Sequence, residues 1–315
     1  MGLKSFLKLV EIKTKAASMT PFLLGTVFVL YRYQKFNWVN FLLMLVSLLC
    51  FDMATTAINN YLDYKKARKT EGFGYEEHNA IVRDNLSEFS VLTVIVILLI
   101  LAVGFGILLF LNTSPVVLIL GIISFSVGIL YTFGPVPISR MPLGEVFSGF
   151  FMGFVILFLS VYIHLNEGAL VELIFRNWML NLNFNVKEIL VLFLVSFPAF
   201  MGISNIMLAN NICDMEDDWE NRRYTLPLYI GREKALALFQ VIYYASYLDI
   251  LLLLVLNILP VTTIPALFTI FPVRNNVSRF LKLQSKRDTF PVAIQNFLLI
   301  NVSLILFLLP ALFLR

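Results

Sequence analysis

The chain contains nine separate runs of about 20 apolar residues, at about 17–33, 37–57, 89–111, 115–133, 143–165, 186–207, 234–257, 259–273 and 291–313, and a run of that length crosses a hydrocarbon layer of roughly 30 Å as a helix. In lipid each such segment must satisfy its own backbone hydrogen bonds, so the runs read as membrane helices. At 315 residues, with 59% hydrophobic residues and only 14% charged, the chain has more apolar surface than one soluble core could hide. The expected fold is all-α: a polytopic membrane bundle of about nine transmembrane helices, with a polar cap over an intramembrane cavity. The run at 259–273 is short and carries Pro260, Pro265 and Pro272.

Charge placement orients the bundle. Alternating the loops from a cytosolic N-terminus leaves only Arg32, Lys35, Arg176, Lys187 and Arg315, of the 24 Lys and Arg, on the outer side, which places the N-terminus in and the C-terminus out. Residues 1–16 carry Lys4, Lys8, Lys13 and Lys15 among Phe6, Leu7, Leu9 and Val10 and read as one interfacial helix. Residues 166–187, mildly amphipathic, read as a second surface helix on the outer face. Cys50 and Cys213 imply no disulfide, and with only His78 and His164 besides, soft-metal and haem sites have no support. No nucleic-acid partner is expected from a net charge of +4 that topology accounts for.

Two stretches depart from this apolar pattern in the same way. Asn59-Asn60-Tyr61-Leu62-Asp63 and Asn210-Asn211-Ile212-Cys213-Asp214 share an Asn-Asn-x-x-Asp spacing, and the second continues to Asp218. Each lies where an apolar run gives way to a charged loop on the cytosolic side. If each continues its helix, Asn60 with Asp63, and Asn211 with Asp214 and Asp218, share a face. Polar residues at a membrane helix end are costly unless they face a cavity or partners, so they read as functional. The two copies are expected to face each other as an oxygen-rich cage suited to Mg²⁺. The copies close spans two and six, which suggests a parallel repeat within a single domain covering 1–315, with halves about 17–133 and 143–273 and a final span 291–313.

The first motif is followed by a long charged loop, residues 64–88, which could act as a lid. Span four ends at Tyr131, and the glycines and prolines between Gly134 and Gly144 forbid continuous helix, so free backbone polar groups there must face water or a ligand. Glu145 follows, with two open readings: a first-turn acid favoured by the helix dipole, or a pocket residue.

A prenyl diphosphate fits a mouth of this kind. Its headgroup would meet the metal and cations such as Lys66, Arg222 and Arg223, and its tail would run among Phe- and Leu-rich helices toward lipid. Cations stabilise the departing diphosphate, and no protein nucleophile is required. At these residues the chain resembles the UbiA family of intramembrane aromatic prenyltransferases, over essentially its whole length. Residues 59–67 stand where that family's first acidic motif stands, with Asn60 and Ala67 in place of acids, so that Asp63 alone remains; Asp214 to Asp218 match the second motif. Tyr131-Thr132 with Gly134-Pro135, Leu143-Gly144-Glu145, and Lys13-Thr14 look like the menaquinone branch. The resemblance implies Mg²⁺ held by Asp63, Asp214 and Asp218, which are the catalytic set. It implies substrate contacts from Asn59, Asn60, Lys66, Asn210, Asn211, Arg222, Arg223, Tyr131, Glu145 and Lys13. The implied reaction joins a polyprenyl diphosphate to 1,4-dihydroxy-2-naphthoate with loss of the carboxylate, giving demethylmenaquinone, in a bacterial cell membrane. The alternatives are another aromatic acceptor such as 4-hydroxybenzoate, or a carrier, against which the acids cluster at helix ends and not at mid-membrane.

Overall fold

A computed structural model of the chain describes residues 1–66, 79–132 and 137–314. The chain divides into two compact units, residues 1–19 with 38–129, and residues 20–37 with 130–315. Helix α2 (Ala16–Tyr33) and helix α6 (Pro115–Thr132) each pass from one unit to the other.

The first unit is built on α3 (Trp38–Lys66) and α5 (Glu88–Leu111). Small residues let their backbones approach. Ala54 and Ala102 are fully buried between them, and Ser47 Oγ donates to the Ala102 carbonyl at 2.8 Å, as expected of helix contacts in lipid, where packing replaces the hydrophobic drive. Phe51 of α3 stacks on Phe125 of α6 with ring centroids 3.9 Å apart. The single N-terminal interfacial helix expected over residues 1–16 is instead α1 (Leu3–Leu9), a left-handed residue at Glu11 (φ 47°), and a 3₁₀ turn at Ile12–Lys15. The break has a cause in packing: Leu9 and Val10 are fully buried on one side, and the chain must then reverse to bring Lys15 inward. Between α3 and α5 the short α4 (Ala80–Arg83) is N-capped by Asn79, whose Oδ1 accepts from Ile81 N at 2.9 Å.

The second unit is centred on α9 (Val186–Cys213). Against it pack α12 (Arg232–Val255), α14 (Pro291–Leu308), and the helix that runs from α7 (Gly144–Ser148) through a π-helical stretch, Gly149–Val155, into α8 (Ile156–Tyr162). Glycine is required at two points of that stretch. A Cβ on Gly149 would lie 2.1 Å from Ser204 Oγ, and one on Gly153 would lie 2.5 Å from Phe200 Cα. Asparagines tie the other contacts: buried Asn205 donates through Nδ2 to the Phe239 carbonyl (2.9 Å), and half-buried Asn276 donates through Nδ2 to Oδ1 of buried Asn296 (2.8 Å).

Seven helices among the described residues are long and apolar enough to cross a membrane, and the chain is an integral membrane protein. The two remaining runs differ for physical reasons. Helix α2 is diluted by Ser18, Thr20, Pro21 and Arg32. Residues 259–273 give a 3₁₀ helix, Val261–Thr269, containing Pro265, which passes into the amphipathic α13 (Ile270–Lys282). The surface helix expected at 166–187 is a β-hairpin, β1 (Val171–Arg176) antiparallel to β2 (Met179–Phe184), with Val171 opposite Phe184. Asn177 and Trp178, at φ 53° and 60°, form its two-residue turn, the geometry that matches strand twist. Residues 67–78 of the loop read as a lid, and Gly134 and Pro135, lie outside the described residues.

Candidate active site

In the second unit the acidic motif forms where α9 stops. Asp214, at φ −97° and ψ 8°, ends that helix and precedes α10 (Met215–Glu220), which the short α11 (Leu226–Ile230) follows. The register nevertheless survives the break, since Asp218 N donates to the Asp214 carbonyl at 2.7 Å. The two asparagines separate. Consecutive residues on a helix point about 100° apart, and Asn210 turns to Asp214 (Nδ2 to Oδ2, 3.2 Å) while Asn211 turns away to Glu145 (Nδ2 to Oε1, 2.8 Å). Asn211 therefore does not share a face with Asp214 as the spacing suggested; Asn210 does.

Each carboxylate has a cation. Lys286 donates to Asp214 Oδ2 and, at 2.6 Å, to Asn210 Oδ1. Asp218 is 2% exposed, accepts from Thr225 Oγ1 at 3.1 Å, and lies 3.3 Å from Arg223 Nε. Burial pushes the Asp218 carboxyl up, and Arg223 and Thr225 pull it back down. Arg222 occupies a left-handed turn position (φ 53°) on the exposed side. Glu145, in the first turn of α7, is 3% exposed; its Oε2 has no hydrogen-bond partner among the described residues, and its carbonyl accepts from Ser204 Oγ at 2.9 Å. Tyr131 reaches the Gly144 carbonyl at 3.5 Å.

In the first unit, Asn60 is buried and its amide donates to the Leu9 carbonyl (2.9 Å) and Glu11 Oε1 (3.3 Å), while its own carbonyl accepts from Asn79 Nδ2 (2.8 Å). Asn59 is half-buried and Asp63 exposed in the last turns of α3, which Lys66 closes; the Lys66 side chain lies outside the described residues. Lys13 is exposed on the 3₁₀ turn. Its neighbour Lys15, not singled out from sequence, is 3% exposed and donates to Asp52 Oδ1 and Thr56 Oγ1, both at 2.6 Å, while Ser18 Oγ donates to Asp52 Oδ2. The signal that could have found this network is a carboxylate, Asp52, inside an otherwise apolar run.

Among the described residues no three His, Cys, Asp or Glu side chains converge as a metal cage. Mg²⁺ does not need one, because it is usually held by one or two carboxylates together with substrate phosphates and water. Asp214, Asp218 and the Asn210 carbonyl oxygen supply hard oxygens of that kind at successive four-residue steps, over about two turns of chain, so the residues fit the ion.

Residues 18–309 match the UbiA prenyltransferase family. The chain is 30% identical over 259 residues to a 1,4-dihydroxy-2-naphthoate octaprenyltransferase of Bacillus subtilis (strain 168), covering 82% of this chain and 75% of that one. Its fold is similar to a UbiA homologue from Archaeoglobus fulgidus bound to GPP and Mg²⁺ (TM-score 0.63, 14% identity, 98% of this chain and 99% of that one). It is also similar to the apo structure of a UbiA homologue from Aeropyrum pernix K1 (TM-score 0.65, 16% identity, 91% and 97%).

Proposed function

Because the chain belongs to the UbiA prenyltransferase family, and is thus a prenyltransferase, we propose that it transfers a polyprenyl group from its diphosphate to 1,4-dihydroxy-2-naphthoate with decarboxylation, giving demethylmenaquinone in its reduced, hydroquinone form. The acceptor is carried over from the Bacillus relative's name. The observation that carries the site is the pair Asp214 and Asp218, held one turn apart at the end of α9, each already matched to a cation, Lys286 and Arg223.

In this reading Asp214, Asp218 and Asn210 would hold Mg²⁺ in the second unit; Asp63 of the first unit is a separate candidate ligand, taken from the family resemblance alone. When bound, the ion neutralises charge that builds on the diphosphate as its carbon–oxygen bond breaks. Arg223 and Arg222 lend positive charge beside the acidic motif. The diphosphate leaves with the bond's electron pair, the acceptor ring carbon attacks the allylic carbon, and loss of CO₂ from that ring carbon returns a pair to the ring. Glu145 and Asn211 shape the mouth with Tyr131, and the second motif is read as cytosolic from the distribution of Lys and Arg.

The test is a Mg²⁺ titration of prenyl transfer by the purified protein, with 1,4-dihydroxy-2-naphthoate and 4-hydroxybenzoate offered separately. Asp214→Asn and Asp218→Asn should each lower the rate by about 10²–10³, as loss of a charge-stabilising contact does. Full activity of Asp218→Asn at low Mg²⁺ refutes the metal assignment, and preference for 4-hydroxybenzoate refutes the acceptor.

A further inference from the structure

The ion pair between Lys286 and Asp214 is unusual in what it joins. Lys286 is 76 residues from Asn210 in sequence and belongs to the turn between α13 and α14, yet its ammonium lies on both polar side chains that the end of α9 turns toward the proposed metal. The turn is built to hold it. Thr289 Oγ1 accepts from Ser285 N (2.9 Å) and donates to the Leu283 carbonyl (2.8 Å), and Ser285 Oγ donates to Asp288 Oδ2 (2.8 Å). The ammonium also lies 5.5 Å from the centre of the Phe290 ring, within cation–π range. The side chain is half exposed, so it can leave without opening the core.

The charges decide what such a lysine does. Asp214 and Asp218 carry two negative charges, balanced by Lys286 and Arg223. Arg223 is additionally anchored through its backbone, donating to the Asp218 carbonyl at 2.8 Å, whereas the contacts of Lys286 to the motif among the described residues run through its ammonium. A divalent cation seated on Asp214 Oδ2 and Asn210 Oδ1 competes with that ammonium for the same two oxygens. A diphosphate arriving with the cation brings fresh negative charge within reach of the freed side chain. We infer that Lys286 is an exchangeable counter-ion: it occupies the Asp214–Asn210 oxygens until the metal–diphosphate binds, then transfers its ammonium to the diphosphate. This rests on the metal reading above. The site thereby resists bare metal and favours the metal–diphosphate complex, because only the complex supplies the lysine with a new partner.

The experiment measures Mn²⁺ binding by electron paramagnetic resonance to the purified protein without substrate, then pyrophosphate binding at saturating Mn²⁺. Lys286→Met should bind Mn²⁺ alone about two- to fivefold more tightly, the size expected when a half-exposed ion pair no longer competes, and should bind pyrophosphate more weakly. Lys286→Arg should stay near wild type in both. Unchanged or weaker Mn²⁺ binding by Lys286→Met, with binding still lost in Asp214→Asn, overturns the exchange while leaving the metal site standing. Mn²⁺ binding that Asp214→Asn does not weaken overturns the metal reading and the exchange with it.

Discussion

Replacing Lys15 by Met tests whether the buried network at the start of α2 holds the first unit together. The ammonium makes three contacts within 3.0 Å, to Asp52 Oδ1, the Asp52 carbonyl and Thr56 Oγ1, and the paired side chains are only 4% and 16% exposed. Removing one partner of a buried pair leaves the other charge without compensation, which costs about 3–5 kcal/mol; Asp52 retains Ser18, so the lower end, about 3 kcal/mol, applies. For 315 residues at about 2.1 cal/mol/K each, the unfolding entropy is about 0.66 kcal/mol/K, so Tm should fall by about 5 °C. The control is the double-mutant cycle. Asp52→Asn alone strands the lysine and should cost a similar amount, but Lys15→Met with Asp52→Asn removes both charges and should recover about 2 kcal/mol relative to the sum. Thermal unfolding of the detergent-purified proteins by circular dichroism reads all four corners. If the two single effects add to within 0.5 kcal/mol, the pair is not coupled and the reasoning fails.

Two further outcomes follow from buried contacts in the second unit. Asn211→Ala strands Glu145 Oε1 as well as Oε2 and should cost about 1–3 kcal/mol, whereas Glu145→Gln keeps an acceptor and should cost less; a thermal shift that reverses this order would refute the pairing. His164 accepts from Asn37 N at 3.0 Å, and burial holds its imidazole at about 4, below its usual 6.5. The unfolded chain therefore takes the proton first, so this contribution is complete above pH about 6.5 and is lost as pH falls toward 4. His164→Gln should flatten the dependence of Tm on pH in that window, and an unchanged slope would count against the buried neutral imidazole.

The membrane helices were legible because a lipid-spanning segment must be continuous and apolar, and Leu, Ile, Val and Phe announce that directly. The acidic pair was legible because carboxylates at the end of such a run need a reason to be there. What the residues did not disclose is partnership. Asn210 and Asn211 are adjacent and chemically identical, and only the packing of α7 on α9 sends one to Glu145 and leaves the other with Asp214. Lys286 counted as one of many basic residues explained by topology, since nothing local marks a turn that folds back onto α9. The hairpin was missed although Leu180-Asn181-Leu182-Asn183-Phe184 alternates with period two; the Asn177-Trp178 turn lacks the glycine that usually signals a two-residue hairpin. Pro265 correctly warned of trouble in the eighth run, but not that the chain would continue into α13.

The π-helical stretch at Gly149–Val155 makes the number of residues in that helix a coded quantity. An i→i+5 pattern accommodates one residue more than the α-helix would, and one residue corresponds to about 100° of rotation. Deleting any one of the seven would let the helix relax into regular α form with its apolar composition intact, yet would swing Glu145 away from Asn211 or pull Gly149 and Gly153 out of register with Ser204 and Phe200. Substitutions in this segment are thus judged by size, whereas insertions and deletions are judged by phase, so the helix tolerates spelling changes far better than a change in its length.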